Sequence, residues 1–547
     1  MAMFISQETF DDVVKENMED FGMEKQAALE DALQQFQSQG ADLSMVDTSA
    51  DGIRRDSRAT LLRCLDALRE CDDVQPEGQA RSHCLEAFSK TEEMCREEGT
   101  AGAASRTAFD EAGGVGVVAR FLGAGEAGSF DESVVAAALS TLSEACRNHE
   151  RNRDHFLATN MAQLNSMLSE WTEASRDGER QQQRKTTGFV EDSVGGGAEP
   201  ERAALAAAGL RLVRTVATKN ERNKGTDSNF MRHNGKAILV SALEIYGSGN
   251  EKDAAALREA CGALRSVTLG DDMRQDFSGT YDNVKALVSA GAVRLLLDVA
   301  RAFASDSSTI PWVFLALKQL AANTESVKLT ADQGGLDVIS EAIVGFPLDV
   351  AVCRSSLSLF RNIAADDVLK TRLVNEDGLR LILGCMSQHR NDKLLQEHGC
   401  ATMAAMSLRS PANGARIVSE GGIAAIVEAM RRHPAAVGLQ RQACLCIRNI
   451  AARGPSLRSA MLDEGCETAL REAGKLRGCV DEAYGALRDL RCEVDLMTMS
   501  ETGELQVGVK AFGQEKPNFD PSLQQTSCLA GRISSAAAAP FRDAGTR

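Results

Sequence analysis

Apolar residues along most of the chain recur at the spacing of an α-helix. Ile447, Ile450 and Ala451 lie at positions i, i+3 and i+4, and Leu357 and Phe360 are also three residues apart. Side chains at this spacing share one face of a helix. The pattern predicts an all-α protein built from amphipathic helices.

The helical pattern repeats along the chain. The segments DQGGLDVISEAI, NEDGLRLILGCM and SEGGIAAIVEAM share a glycine before an apolar helix, and a longer helix follows each. These glycines, with one further copy, are 43, 44 and 43 residues apart: Gly335, Gly378, Gly422 and Gly465. Helical solenoids have this period. We expect each glycine at a bend with positive φ, where a residue without Cβ fits.

Looser copies of the unit extend the array to eight, at Gly114, Met161, Gly235 and Gly291. Four segments are therefore expected. Residues 1–50 form an acidic amphipathic helical hairpin, 51–106 an irregular helical cap and 107–495 about eight repeats. A polar, Gln- and Gly-rich flexible insertion at 172–200 interrupts the array, and residues 496–547 form a disordered tail with few apolar runs.

The N-terminal hairpin is expected to have two apolar faces, with Gly40 as the stop of the second helix. The first face consists of Phe10, Val13, Val14, Met18 and Phe21, and the second of Leu29, Ala32, Leu33 and Phe36. The first fifty residues contain eleven acidic residues against two lysines, so about half of the net charge of the chain is here.

Composition supports helices and restricts the partners. Aromatic residues make up only 4% of the chain, while Ala, Leu, Glu and Arg, which favour helices, are abundant. The net charge of −17 argues against nonspecific binding of nucleic acid. No apolar run is long enough for a membrane span, and the acidic start is not a signal peptide, which predicts a cytoplasmic or nuclear protein. The 15 cysteines mostly lie in apolar helical segments, as expected of reduced core thiols.

Motifs of catalysis and metal binding do not stand out. The seven histidines are scattered, and Cys444 and Cys446 would point in different directions on a helix. The glycines from Gly113 resemble half of a dinucleotide loop but follow no predicted strand. We therefore expect no enzyme activity, no metal, no cofactor and no small-molecule substrate.

Two of the units resemble armadillo repeats: IVSEGGIAAIVEAMRRHPAAVGLQRQACLCIRNIAARG and LTADQGGLDVISEAIVGFPLDVAVCRSSLSLFRNIAAD. The block ISQETFDDVVKENMEDFGMEKQAALEDALQQFQSQGADLS, with the order of repeats, is similar to the armadillo repeat-containing protein 6 family. The similarity extends to about Cys492 and excludes the insertion and the tail. It implies a right-handed α-solenoid of ARM/HEAT-like repeats with an interaction role.

In armadillo proteins, the third helix of each repeat lines a groove where Asn side chains bind the backbone of an extended peptide. The matching positions here are Glu144, Thr215, Ser266, Gln319, Asn362, Ala405, Asn449 and Asp489. Only two are Asn, and Ser358 and Leu445 stand where nuclear-import adaptors have Trp. We do not expect continuous peptide binding of that kind.

The residue before each of these positions is more regular. Six of the eight are basic: Arg214, Arg265, Lys318, Arg361, Arg448 and Arg488. In a stack of repeats, they should form a column. One explanation is that each cation pairs with a carboxylate on a neighbouring helix. The other is that the column binds acidic, extended segments, because guanidinium groups can bind carboxylates bidentately.

The sequence thus predicts a non-catalytic interaction or scaffold protein, whose candidate binding residues are the six cations with Asn362 and Asn449. Two alternatives stay open: a chaperone or assembly factor for a client protein, and a regulator of a small GTPase. The acidic hairpin either covers the basic groove until a partner displaces it or extends the cap of the solenoid.

Overall fold

The structure is a computed structural model of the 547-residue chain. It describes residues 3–4, 7–19, 23, 28, 31–32, 35–36, 41–42, 53–71, 79–122, 131–172, 198–220, 230–248, 253–271, 279–499 and 505–510. The chain divides into two compact units, Met1–Asn283 and Val284–Arg547.

The N-terminal block of the first unit has its own small core. Helix α1 spans Gln7–Glu19, and the strands β1 (Met3–Phe4) and β2 (Ala41–Asp42) pair in parallel. The core consists of Phe10, Val14, Ala28, Ala32 and Phe36, with the Phe10 and Phe36 ring centroids 5.8 Å apart. Met18, which we expected on the apolar face, is 39% exposed. Phe21, Leu29, Leu33 and Gly40 lie outside the described residues.

The remaining helices of the first unit follow one another without strands in the described ranges. They are α2 (Ile53–Glu70), α3 (Gln79–Arg96), α4 (Gly99–Glu111), α5 (Gly114–Ala119), α6 (Glu132–Cys146), α7 (Glu150–Thr159), α8 (161–172), α9 (Ala198–Ala217), α10 (Lys236–Ser248) and α11 (Ala254–Thr268). A 3₁₀ turn, Arg120–Leu122, follows α5, and a π-helical turn, Met231–Gly235, precedes α10. The long helices α3, α6, α9 and α11 pack against one another in chain order.

Both ends of the predicted insertion at 172–200 are helical. Helix α8 includes residue 172, and α9 begins at Ala198, so these boundaries of the prediction are wrong by a few residues. Alanine and glutamate at the start of α9 favour helix, which the glycine-rich composition just before them concealed. Residues 173–197 lie outside the described residues.

The second unit consists of helical triplets. The third helix is the longest in four of them, and in the first triplet the second and third helices each have 11 residues. Helix α12 (Thr280–Ser289) crosses the unit boundary. The others are α13 (Ala292–Ala302), α14 (Ile310–Leu320), α15 (Thr324–Asp332), α16 (Gly335–Gly345), α17 (Val350–Ile363), α18 (Asp367–Asn375), α19 (Gly378–Gln388), α20 (Lys393–Ser407), α21 (Pro411–Ser419), α22 (Gly422–Arg432), α23 (Val437–Arg453), α24 (Arg458–Asp463), α25 (Cys466–Ala473) and α26 (Val480–Leu490). A 3₁₀ turn, Pro455–Leu457, precedes α24.

The third helices of the triplets, α14, α17, α20, α23 and α26, pack against one another in chain order. Their apolar faces form the core, where Leu357, Phe360, Ile447 and Ile450 are at most 2% exposed. Because dozens of such side chains leave water together, burial of these faces supplies the main stabilisation of the stack. The all-α prediction is confirmed.

Three of the four repeat glycines do not have the positive φ that the sequence suggested. Positive φ occurs at Gly334, Asp377 and Gly421, one residue before three of the predicted positions, whereas the fourth, Gly465, does have φ of +87°. Gly422 begins α22, and a Cβ there would lie 2.6 Å from Cγ2 and 2.7 Å from the carbonyl oxygen of Ile417. Gly335 and Gly378 face similar contacts. The expectation of positive φ is therefore wrong for Gly335, Gly378 and Gly422, which allow close packing of successive helices instead.

Buried amide side chains connect the second and third helices of two triplets. Gln440 Nε2 donates hydrogen bonds to the carbonyl oxygens of Met430 (2.9 Å) and His433 (3.0 Å), at the end of α22. Gln396 makes the equivalent pair of bonds to the end of α19. The last carbonyls of a helix have no partner within it, so these amides stabilise the helix ends.

The C-terminal segment begins with strands. Strand β3 (Val494–Met499) pairs antiparallel with β4 (Leu505–Lys510), so the predicted tail at 496–547 is not disordered at its start, and the boundary at 495 falls inside β3. Leu505, Val507 and Val509 alternate with other residues at the strand period of two, which a search for helical spacing misses. Residues 511–547 lie outside the described residues.

Candidate protein-binding surface

The six predicted cations lie near the C-terminal ends of third helices. Arg214 and Arg265 are on α9 and α11 of the first unit. In the second unit, Lys318, Arg361, Arg448 and Arg488 are on α14, α17, α23 and α26. We call these six residues the cation row. Each is partly or fully exposed, so each can contact a partner.

Three members of the cation row pair with carboxylates of third helices. Arg214 Nε lies 2.9 Å from Glu259 of α11, a carboxylate that Arg211 also contacts. In the second unit, Arg448 Nε and Arg488 lie 3.4 Å and 3.0 Å from Asp489. Half of the row thus fits the explanation of internal ion pairs, and pairs this exposed contribute about 0–1 kcal/mol each to stability.

Two other members lack such a partner. In the part of the chain that the structure describes, neither Arg361 nor Arg265 has an ion pair or hydrogen bond from its guanidinium group, and Arg265 Nε is buried without a partner. Both side chains are partly exposed. No carboxylate of the described residues therefore neutralises either charge.

The two asparagines at the ladder positions bind the chain itself. Asn362 Nδ2 donates to the carbonyl oxygens of Lys318 and Ala321, each at 3.1 Å, on the preceding third helix. Asn449 Nδ2 donates to the carbonyl oxygen of Ala404 at 3.0 Å. Both amide hydrogens of Asn362 and one of Asn449 are used between repeats, so Asn362 keeps only its oxygen for a partner.

A polar cluster between α17 and α20 was not predicted from the sequence. It contains Arg354, Ser358 and Arg361 of α17 and His398 of α20, with Lys318 of α14 near the imidazole. The Arg354 guanidinium forms an ion pair with Asp392, the N-cap residue of α20. One sign of the cluster was visible in the sequence: Ser358 is a polar residue at a position where nuclear-import adaptors have Trp. His398, however, has no histidine at the equivalent position of the neighbouring repeats, so the repeat pattern did not indicate it.

The charge state of His398 follows from its surroundings. Burial lowers the pKa of the imidazole, and the positive charges of Lys318, Arg361 and Arg354 lower it further, to about 4, against the opposing effect of Asp392. The side chain is therefore neutral at pH 7. At this pH, the cluster has more positive than negative charges.

We expect the His398 imidazole to titrate near pH 4 rather than near the usual value of about 6.5. Between these pH values, the unfolded chain binds a proton that the native protein does not, so the stability of the second unit falls as the pH falls. NMR titration of the full chain with labelled histidines measures the pKa. Arg361→Ala should raise it by removing one cation; a native pKa near 6.5 would contradict the assignment.

Comparisons with known proteins identify the family. A model of the ARMC6 family matches residues 197–506, which is more than half of the chain. A model of the armadillo repeat-containing protein 6 N-terminal domain matches residues 2–61. The chain belongs to the armadillo repeat-containing protein 6 family. The resemblance inferred from the N-terminal block and the repeats is confirmed, and neither matched model describes a catalytic family.

Relatives in this family are similar over most of their length. Armadillo repeat-containing protein 6 of Homo sapiens is 28% identical over 418 residues, which cover 75% of this chain and 75% of that protein. The protein of Pongo abelii gives the same values. The Drosophila melanogaster homolog is 24% identical over 415 residues, which cover 76% of this chain and 79% of the homolog.

Two solved structures are also similar. One comes from work on the interaction between cadherin and beta-catenin; it is 15% identical, with a TM-score of 0.46, and the match covers 79% of this chain and 68% of that chain. The other is a crystal structure of an engineered protein, 21% identical, with a TM-score of 0.39 and coverage of 46% and 96%.

Other kinds of site are not seen in the described part of the chain. No group of three or more His, Cys, Asp or Glu side chains there is placed to hold a metal ion. No helix in the described ranges has the length and apolar character needed to cross a membrane. The described cysteines are free and mostly buried, and burial raises the pKa of the Cys261 thiol to about 12.

Proposed function

We propose that this chain is a non-catalytic scaffold that binds acidic, extended segments of other proteins along its third helices. The contact residues are the cation row with Asn362 and Asn449. The observation that carries the proposal is that Arg361 and Arg265 have no carboxylate partner among the residues that the structure describes. The chain has 78 acidic and 61 basic residues, so an unpaired arginine is not explained by a shortage of carboxylates.

The ion pairs of Arg448 and Arg488 do not neutralise all of their positive charge. Arg448 and Arg488 share a single carboxylate, that of Asp489, so the three groups together carry a net charge of +1. A guanidinium group that already contacts one carboxylate still has N–H donors for a second one. Successive third helices therefore present repeated donors to an extended segment with carboxylates along it.

We expect Arg361→Glu to weaken the binding of a fluorescently labelled, glutamate-rich peptide by about tenfold, because one charge-assisted hydrogen bond is replaced by repulsion. Fluorescence anisotropy with the full chain gives the dissociation constant. Binding should also weaken with added salt, since exposed charges are screened.

The matched control is Arg380→Glu, which reverses the charge of a 72% exposed arginine on α19, outside the third helices. It changes the total charge of the protein equally, so it reports nonspecific attraction. Equal losses of affinity in Arg361→Glu and Arg380→Glu, or failure of the wild-type protein to prefer the glutamate-rich peptide over a glutamine-rich one, would refute the proposal.

A further inference from the structure

Exposed aliphatic side chains are aligned along one edge of the second unit. Of the nine large apolar side chains that are exposed in the described residues, four lie where consecutive third helices begin. They are Leu348, just before α17, Leu394 in the first turn of α20, and Val437 and Val480, the first residues of α23 and α26. We call these four residues, which are between 39% and 76% exposed, the aliphatic edge. Single exposed apolar residues are normal on a protein surface, whereas a contiguous set is typical of an interaction site.

Two histidines connect the turns that lead into the third helices. His389 follows α19, and its Nε2 donates to the carbonyl oxygen of Pro347, in the turn before α17, at 3.0 Å. His433 has the equivalent place after α22, and its Nε2 donates to the carbonyl oxygen of Arg390, in the turn before α20, at 2.8 Å. Because each histidine bonds to the turn of the preceding repeat, three successive turns lie side by side.

Two further contacts place the aliphatic side chains in order. Cys479 Sγ donates to the carbonyl oxygen of Val437 at 3.5 Å, so the beginnings of α26 and α23 are neighbours. Glu397 of α20, one helical turn after Leu394, lies directly against Gly438 in the first turn of α23. The aliphatic edge therefore presents one side chain per repeat, in chain order.

The spacing of the aliphatic edge matches that of an α-helix. Packed helices lie about 8–10 Å apart, so the edge presents an aliphatic side chain at about this interval. Seven residues of an α-helix rise about 10.5 Å and return to nearly the same face. An extended strand instead repeats a side chain on one face every ~6.6 Å, which does not match the interval. A partner helix with apolar residues seven positions apart can therefore contact each repeat in turn.

An open cavity lies beside the aliphatic edge, at the turn that leads into α20. Its volume is about 680 Å³, and it is lined by residues 387–392 and Arg432. The Arg390 guanidinium donates to the carbonyl oxygen of Ser387 at 3.0 Å, and it has no ion pair with a carboxylate of the described residues. The carboxylate in the lining, Asp392, is bound to Arg354. The cavity therefore has both the room and a guanidinium group for a carboxylate from outside.

The surroundings of this cavity are positively charged. Glu428 forms an ion pair with Arg432 at 2.7 Å, and the pKa of its carboxyl is lowered by Arg432 and, to a smaller extent, by Arg390 and Arg431. One carboxylate thus faces three guanidinium groups, in a chain whose net charge is −17. Such a local excess of positive charge favours an acidic partner.

We infer that the aliphatic edge binds an amphipathic α-helix of a partner protein, and that acidic residues beside the apolar stripe of this helix contact Arg390. The inference goes beyond the proposed function, because the cation row lies near the opposite ends of the third helices, about 21 Å away along the 14 residues of α17. An anionic membrane fits this edge less well. The N-cap carboxylates of Asp349 and Asp392 lie along it and would repel the lipid headgroups.

The test compares two fluorescently labelled helical peptides of the same composition. The ordered peptide has leucines seven residues apart with glutamates beside them, and the second peptide has the same residues in scrambled order. With the full chain, fluorescence anisotropy should show that the ordered peptide binds about tenfold more tightly. Leu348→Ser and Arg390→Glu should each remove about tenfold in affinity. Val368→Ser, at a 72% exposed position of α18 beyond the other end of α17, and Arg380→Glu, on α19, should retain the affinity.

Several outcomes would overturn the inference. Equal binding of the ordered and scrambled peptides would do so, as would equal losses in Leu348→Ser and Val368→Ser. If vesicles of anionic lipid bind instead of the ordered peptide, or if the chain self-associates through this edge and Leu348→Ser abolishes the association, the occupant is a membrane or a second copy. The proposed function is tested separately, because Arg361→Glu should not change the binding of the ordered peptide and Leu348→Ser should not change that of the glutamate-rich peptide.

Discussion

Gly422→Ala is expected to lower the free energy of unfolding of the second unit by about 2–3 kcal/mol, near the upper end for overpacking a close contact. The new Cβ would lie 2.6 Å from Ile417 Cγ2 and 2.7 Å from the Ile417 carbonyl oxygen. The carbonyl belongs to α21 and cannot rotate away as a side chain can. The two helices must therefore separate, which also disturbs the contact with Met403 Sδ, 3.3 Å away.

The control is Gly384→Ala, in the interior of α19. No atom of the described residues lies within 4 Å of a Cβ built at Gly384, so alanine fits without displacement. Because glycine lowers helix stability, this variant should be about 0.5–1 kcal/mol more stable than the wild type. Urea unfolding of the full chain, followed by circular dichroism, measures both changes. Equal effects of the two substitutions would show that close contact does not determine the role of Gly422.

The sequence contained the information to place these glycines correctly. Two consecutive glycines, as at Gly334 and Gly335, leave open which of them adopts positive φ. The pair Asp377 and Gly378 resolves the question, because an aspartate tolerates the left-handed region and can take the first position. The glycine at the second position is therefore required for a reason other than positive φ. Gly465, followed by a cysteine, belongs to the first position of the pair, so the apparent period mixed two positions.

Periodicity predicted the positions of the cation row but could not predict its pairing. Whether Arg214 is neutralised depends on Glu259, which is 45 residues away and meets it only when two third helices pack. Arg361 has the same repeat position and no such carboxylate in the described residues. An ion pair of this kind joins residues of two neighbouring repeats, so the spacing of residues within one repeat cannot predict it.

The hydrogen bonds of Asn362 also could not be predicted from the sequence. The family pattern placed it correctly on a third helix, but it did not show that the amide would donate to Lys318 and Ala321 of the preceding third helix. Histidine does not recur at the position of His398 in the neighbouring repeats, which have Ser355 and Gln442 there, and only the packing of α17 against α20 brings His398 into the polar cluster. The strands β3 and β4 were missed because the search used a helical period where the period is two.

Gln440→Leu is expected to lower the free energy of unfolding of the second unit by about 2–4 kcal/mol, since each buried carbonyl left without a donor costs about 1–3 kcal/mol. The side chain is 2% exposed, and leucine has a similar volume, so the loss reports hydrogen bonds rather than a cavity. The carbonyl of Met430 has no substitute donor in its own helix, because the residue four positions later is Pro434, which lacks an N–H.

Gln442→Leu is the matched control on the same helix. Gln442 is partly exposed and makes no hydrogen bond in the described ranges, so its substitution should change stability by no more than about 0.5 kcal/mol. Urea unfolding of both variants separates the two cases. If Gln440→Leu unfolds at the same urea concentration as Gln442→Leu, the buried amides do not stabilise the triplets. A large difference would show that the hydrogen bonds of the buried amides, as well as the apolar faces, stabilise the packing of the second helices against the third helices.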